Sequence, residues 1–102
     1  MAAQRGTTAS GTAYTTSATD ILEGVCPRTA RRGIVFYVYA STAGTAKIHY
    51  KDPSGTFREL ESQSVSANDL TAIAFGFPIT EFKLTYQGTS SGGTVNAEGR
   101  GF

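Results

Sequence analysis

The chain has little of what reactive centres are built from. Among 102 residues there is one cysteine, Cys26, so neither an internal disulfide framework nor a cysteine-based metal cluster can form. Cys26 is followed by Pro27 and reads as a small buried or loop residue rather than a nucleophile. There is one histidine, His49, through which any Ser-His-Asp triad would have to pass. Tryptophan is absent, and with it the preferred stacking surface for sugars. No stretch approaches the ~20 consecutive apolar residues of a membrane span. The start, Met1-Ala2-Ala3-Gln4-Arg5-Gly6, lacks the apolar run of a signal peptide. Charged residues make up 17%, below the roughly 25% of average proteins. The net charge of +1 gives no global field to hold nucleic acid or an anionic membrane. These shortages predict a protein that is not an enzyme, needs no cofactor or metal, and resides in a reducing cytoplasm or a larger assembly made there.

What is present points to strands. Apolar residues are 39% of the chain, enough for one core, and 12 glycines supply many turns. Threonine is abundant, and its β-branch suits extended backbone while its hydroxyl meets water. Gly33 opens the strongest strand, Ile34-Val35-Phe36-Tyr37-Val38-Tyr39, with apolar groups on both faces. Such a strand is covered on both sides, or one of its faces is an interface. Further strands are expected over residues 70–77, 80–87 and 94–102, each bounded by Gly, Pro, Asn or Ser. Phe82, Leu84 and Tyr86 should point inward, as should Val95, Ala97 and Gly99. No segment has the rhythm of a long amphipathic helix. The expected fold is all-β: a single antiparallel β-sandwich of jelly-roll type, residues 14–102, preceded by a flexible N-terminal arm, residues 1–13.

The hairpin at Asp52-Pro53-Ser54-Gly55 is the most specific local signal. Asp accepts backbone N–H bonds, Pro pre-sets φ, and Gly takes the left-handed position of a bulged type I turn. That turn sets Tyr50 opposite Arg58, His49 opposite Glu59, Lys51 opposite Phe57, Ile48 opposite Leu60 and Lys47 opposite Glu61. His49 and the acidic Glu59 and Glu61 are then explained by strand pairing, and no catalytic set converges. Acidic residues show no calcium-loop spacing, and Gly92-Gly93 precedes a strand rather than a phosphate-binding helix.

Contact residues are sought in three places. Residues 1–13 contain no large apolar side chain after Met1 and cannot order themselves alone, so they suit an arm that orders on a neighbour; Ala2, Ala3, Arg5, Thr7 and Thr8 are its candidate contacts. Arg28, Arg31 and Arg32 form a basic cluster suited to an acidic partner. Tyr37 and Tyr39 sit on the surplus apolar face of their strand, where they would meet a second copy. With Tyr50 they also suggest a platform for sugar rings, the alternative function.

Residues 33–46, the Lys-Ile-His-Tyr strand and Asp-Pro-Ser-Gly hairpin after them, and residues 82–99 together resemble small structural proteins encoded in tailed-bacteriophage head gene clusters. The likeness runs over residues 33–102. It implies a capsid decoration (cement) or minor head protein that binds and stabilises the major capsid protein shell, as a homo-oligomer, often a trimer. The same likeness implies a place on the capsid surface of a virion assembled in the host cytoplasm, without nucleic acid or membrane partners. A carbohydrate- or surface-binding module of a phage fibre or tail is the alternative.

Overall fold

The turn at residues 52–56 forms as its side chains dictate. The Asp52 carbonyl accepts the Gly55 N–H at 2.9 Å, and the Asp52 N–H donates to the Thr56 carbonyl at 2.9 Å. Asp52 Oδ1 accepts the Ser54 and Thr56 N–H groups at 2.9 and 3.1 Å, and Gly55 takes φ of +88°. From this hairpin the rest of the chain can be followed in a computed structural model, which describes residues 4–5, 8–25, 32–77, 81–90 and 92–101.

Nine strands run along the described residues: β1 (Gln4–Arg5), β2 (Thr8–Ala13), β3 (Thr19–Val25), β4 (Ile34–Ala40), β5 (Gly44–Lys51), β6 (Phe57–Val65), β7 (Thr71–Phe75), β8 (Glu81–Gly88) and β9 (Thr94–Gly101). They make two sheets, ordered β1-β3-β8-β5-β6 and β2-β9-β4-β7. Apart from the two-residue β1, which joins β3 in parallel, every pairing is antiparallel. From β2 onward the chain changes sheet at each connection except the β5–β6 hairpin. Two four-stranded antiparallel sheets wound in this order make a jelly roll. The expected all-β sandwich is the fold that forms.

Alternation along the strands fills the space between the sheets. Ile34, Phe36 and Val38 of β4 are fully buried, facing Ile48 of β5 and Phe82, Leu84 and Tyr86 of β8. Phe36 and Phe82 meet edge to face across the two sheets, with centroids 4.9 Å apart. Gly99 lies beside them; a Cβ there would press on Phe36 at 3.1 Å. Removing a side chain such as Phe36 would cost about 3–5 kcal/mol, because so packed a centre cannot fully collapse.

Two expectations are corrected. Residues 8–13 are not a free arm but β2, the edge strand of the second sheet, paired to β9. Ladder hydrogen bonds and the burial of Ala9 and Thr12 hold them, so no large apolar side chain is needed. Along the hairpin, the register holds from Lys51–Phe57 through His49–Glu59 and then shifts at a bulge. Ile48 therefore faces Glu61 rather than Leu60, and Lys47 faces Ser62 rather than Glu61. The extra residue keeps Ile48 in the core while Leu60 is left exposed on the edge strand.

Candidate binding face

The outer faces of the two sheets differ in chemistry. On the first sheet, β3, β8, β5 and β6 carry charges that pair with one another. Lys47 Nζ lies 3.4 Å from Glu59, Lys51 Nζ 3.4 Å from Glu81, and Lys83 Nζ 3.7 Å from Asp20. Lys51 and Lys83 also stand over the Phe57 ring, at 5.7 and 5.1 Å from its centre. His49 sits among them with Nε2 at 3.4 Å from Thr85 Oγ1. Burial, then the nearby Lys83, holds its pKa below the usual histidine value. Exposed pairs of this kind contribute little stability each, and a face so arranged suits water.

The outer face of the second sheet is different. Its central strand β4 turns Val35, Tyr37 and Tyr39 outward, opposite to the buried Ile34, Phe36 and Val38. β7 presents Ala72 opposite Tyr37 and Ala74 opposite Val35. On the other flank, β9 sets Asn96 opposite Tyr39, Glu98 opposite Tyr37 and Arg100 opposite Val35. An antiparallel sheet facing only solvent alternates to polar residues there. Here the centre of the face is aromatic and aliphatic, and Tyr39 is 39% exposed.

A groove of about 230 Å³ crosses this face, lined by Tyr37, Tyr39, Leu70, Ser10, Asn96 and Glu98, with Ala9 and Ala97 at the positions beneath. Arg100 Nη2 and Nε donate to Glu98 Oε1 at 2.9 and 3.2 Å. Asn96 Oδ1 accepts the Gly11 N–H at 2.6 Å.

The edges differ as well. β6 closes the first sheet with Arg58, Glu59, Glu61, Ser62, Gln63 and Ser64 exposed and a bulge at Leu60. Charge and a bulge both oppose pairing with another strand. β7 closes the second sheet within an uncharged stretch, Leu70-Thr71-Ala72-Ile73-Ala74-Phe75-Gly76-Phe77. Leu70 is 62% and Phe77 51% exposed, at either end of the strand.

Of the predicted contact residues, Tyr37 and Tyr39 come together in the groove. Arg5 and Thr8 lie in strands β1 and β2, Arg5 beside Glu23 and Thr8 beside Glu98 in the ladders. Arg32 is exposed just before β4. Ala2, Ala3, Thr7, Arg28 and Arg31 lie outside the described residues, as does Cys26. Sequence reasoning missed Asn96, Glu98 and Leu70. The outward alternation of Asn96 and Glu98 was legible, but their place beside β4 follows from long-range pairing alone. Among the described residues, no group of three or more His, Cys, Asp or Glu is arranged to hold a metal ion. No known protein family and no curated protein sequence matches the chain.

Proposed function

We propose that the chain is a structural protein of a tailed-bacteriophage particle, a decoration or minor head protein that docks on the major capsid shell and associates with copies of itself. It would sit on the capsid surface after assembly in the host cytoplasm. The resemblance of residues 33–102 supports this reading, and the jelly roll is compatible with it, being an architecture of viral capsid domains and of lectins alike.

The observation that carries the reading is the uncharged margin along β7, whose outer side no strand among the described residues pairs, set against the charged and bulged β6. Soluble proteins blunt free strand edges with charge, proline or bulges. An uncharged edge beside exposed Leu70 and Phe77 is suited to strand addition or apolar docking. Repetition of even a weak contact around a shell yields strong retention.

The test is co-sedimentation with empty heads assembled from the major capsid protein of the same gene cluster. The wild-type chain is expected to pellet with the heads. Leu70→Glu, which adds charge at an exposed position, should release it while leaving thermal unfolding within a degree or two. A chain that stays in the supernatant, or a Leu70→Glu variant that pellets equally well, defeats the reading.

A further inference from the structure

Asn96 is held in one orientation. Its Oδ1 accepts from a backbone N–H, that of Gly11, and only the oxygen of the amide can do so. Gly11 reaches that place with φ of +61° inside the irregular β2–β9 pairing, a left-handed conformation that glycine adopts without a steric penalty. The Asn96 Nδ2 therefore presents N–H donors with no partner among the described residues. Two positions along the same face, Glu98 gives Oε1 to Arg100 and keeps Oε2 as an acceptor.

Each of these polar groups stands beside a phenol ring, Asn96 beside Tyr39 and Glu98 beside Tyr37. The two ring positions are one strand repeat apart, roughly 6.6–6.8 Å. A donor, an acceptor and two aromatic surfaces thus converge on one groove, with Leu70 at its side. Its volume, about 230 Å³, falls below the roughly 300–1,000 Å³ of sites for drug-sized ligands and suits a single ring. A wholly apolar guest would leave the Asn96 amide without a hydrogen bond, at a cost of about 1–3 kcal/mol. An anionic guest would meet the Glu98 carboxylate. A sugar ring answers every group: its C–H face covers a tyrosine, while its hydroxyls both accept and donate.

We propose that the groove between Tyr37, Tyr39, Asn96 and Glu98 is a binding subsite for one uncharged pyranose ring of a saccharide. The inference goes beyond the capsid reading and takes up the carbohydrate alternative at a defined place. A site of this size binds weakly, with a dissociation constant on the order of millimolar, and many copies on one particle would supply the avidity.

The experiment is titration of the full ¹⁵N-labelled chain with glucose, galactose, mannose and N-acetylglucosamine and their disaccharides, followed by amide chemical shifts. At least one sugar should give saturable shifts centred on Tyr37, Tyr39, Asn96 and Glu98. Asn96→Asp retains an oxygen for the Gly11 N–H but removes the free donors. It should weaken that binding roughly fivefold or more, with unfolding and head co-sedimentation unchanged. Absence of saturable shifts with every sugar, shifts centred elsewhere, or undiminished binding by Asn96→Asp would each overturn the proposal. Because Asn96→Asp leaves the β7 margin intact, loss of this proposal and loss of the capsid reading are distinguishable.

Discussion

Tyr14 and Tyr86 meet edge to face with ring centres 4.7 Å apart, and both hydroxyls close on Thr42. Tyr86 donates to the Thr42 carbonyl at 2.7 Å, while Tyr14 accepts the Thr42 N–H at 3.0 Å and also bonds its hydroxyl. Tyr14 lies between β2 and β3, Thr42 in the turn from β4 to β5, and Tyr86 on β8. The pair therefore ties both sheets together at one end of the sandwich.

Tyr86→Phe keeps the ring contact and removes one donor. It should lower unfolding stability by about 1 kcal/mol in urea denaturation, the usual net value of a hydrogen bond. Unchanged stability would mean that water replaces the hydroxyl at Thr42.

Alkaline pH should loosen the same end. Burial, with Tyr14 nearby, pushes the Tyr86 phenol from 10.0 up to about 12. A group whose folded pKa is raised contributes stability that is complete below the unfolded value. That contribution should be lost between pH 10 and about pH 12, and Tyr86→Phe should flatten the decline in a pH series of melting curves.

Three glycines make room for these rings. A Cβ at Gly44 would strike Tyr86, and one at Gly88 or Gly93 would strike Tyr14. Because Thr42 pins both hydroxyls, the rings cannot swing aside cheaply. Gly93→Ala should destabilise by about 1–3 kcal/mol through overpacking. Gly76→Ala, where a Cβ meets nothing within 4 Å, is the control and should be near neutral by calorimetry.

His49 should titrate below 6.5 in an NMR pH series. Burial opposes its charged form first, and Lys83 opposes it next. The unfolded chain then binds the proton more readily, so this residue's contribution to stability falls as pH drops below 6.5. Lys83→Ala should move the titration upward; an unmoved midpoint would deny the lysine its part.

At the hairpin, Asp52→Ala removes an acceptor shared by Ser54, Thr56 and Arg58. Hydrogen bonds from Ser54 and Arg58 lead in holding the Asp52 carboxyl well below its usual range. The variant should melt earlier at neutral pH, and the difference from wild type should shrink as acid protonates Asp52. A constant difference across pH would assign the effect to the turn backbone instead.

Local chemistry made much of this fold legible. Asp52, Pro53 and Gly55 specify their turn and the first three pairs of the hairpin. The alternation from Ile34 to Tyr39 separates core from surface, and its surplus outward tyrosines point to the binding face. What fails is decided by distant partners. The bulge at Leu60 answers to the core's need for Ile48, and β2 exists because β9 offers a ladder to small residues. Asn96 and Glu98 become part of a groove only when β9 lies beside β4, a pairing that no neighbouring residue announces.

The contrast between β6 and β7 also sets a limit on growth. A copy that adds a strand at β7 lengthens the second sheet alone, since the charged, kinked β6 across the sandwich resists the same addition at its own margin. Association along β7 should therefore widen one layer of the sandwich and leave the other at its own width.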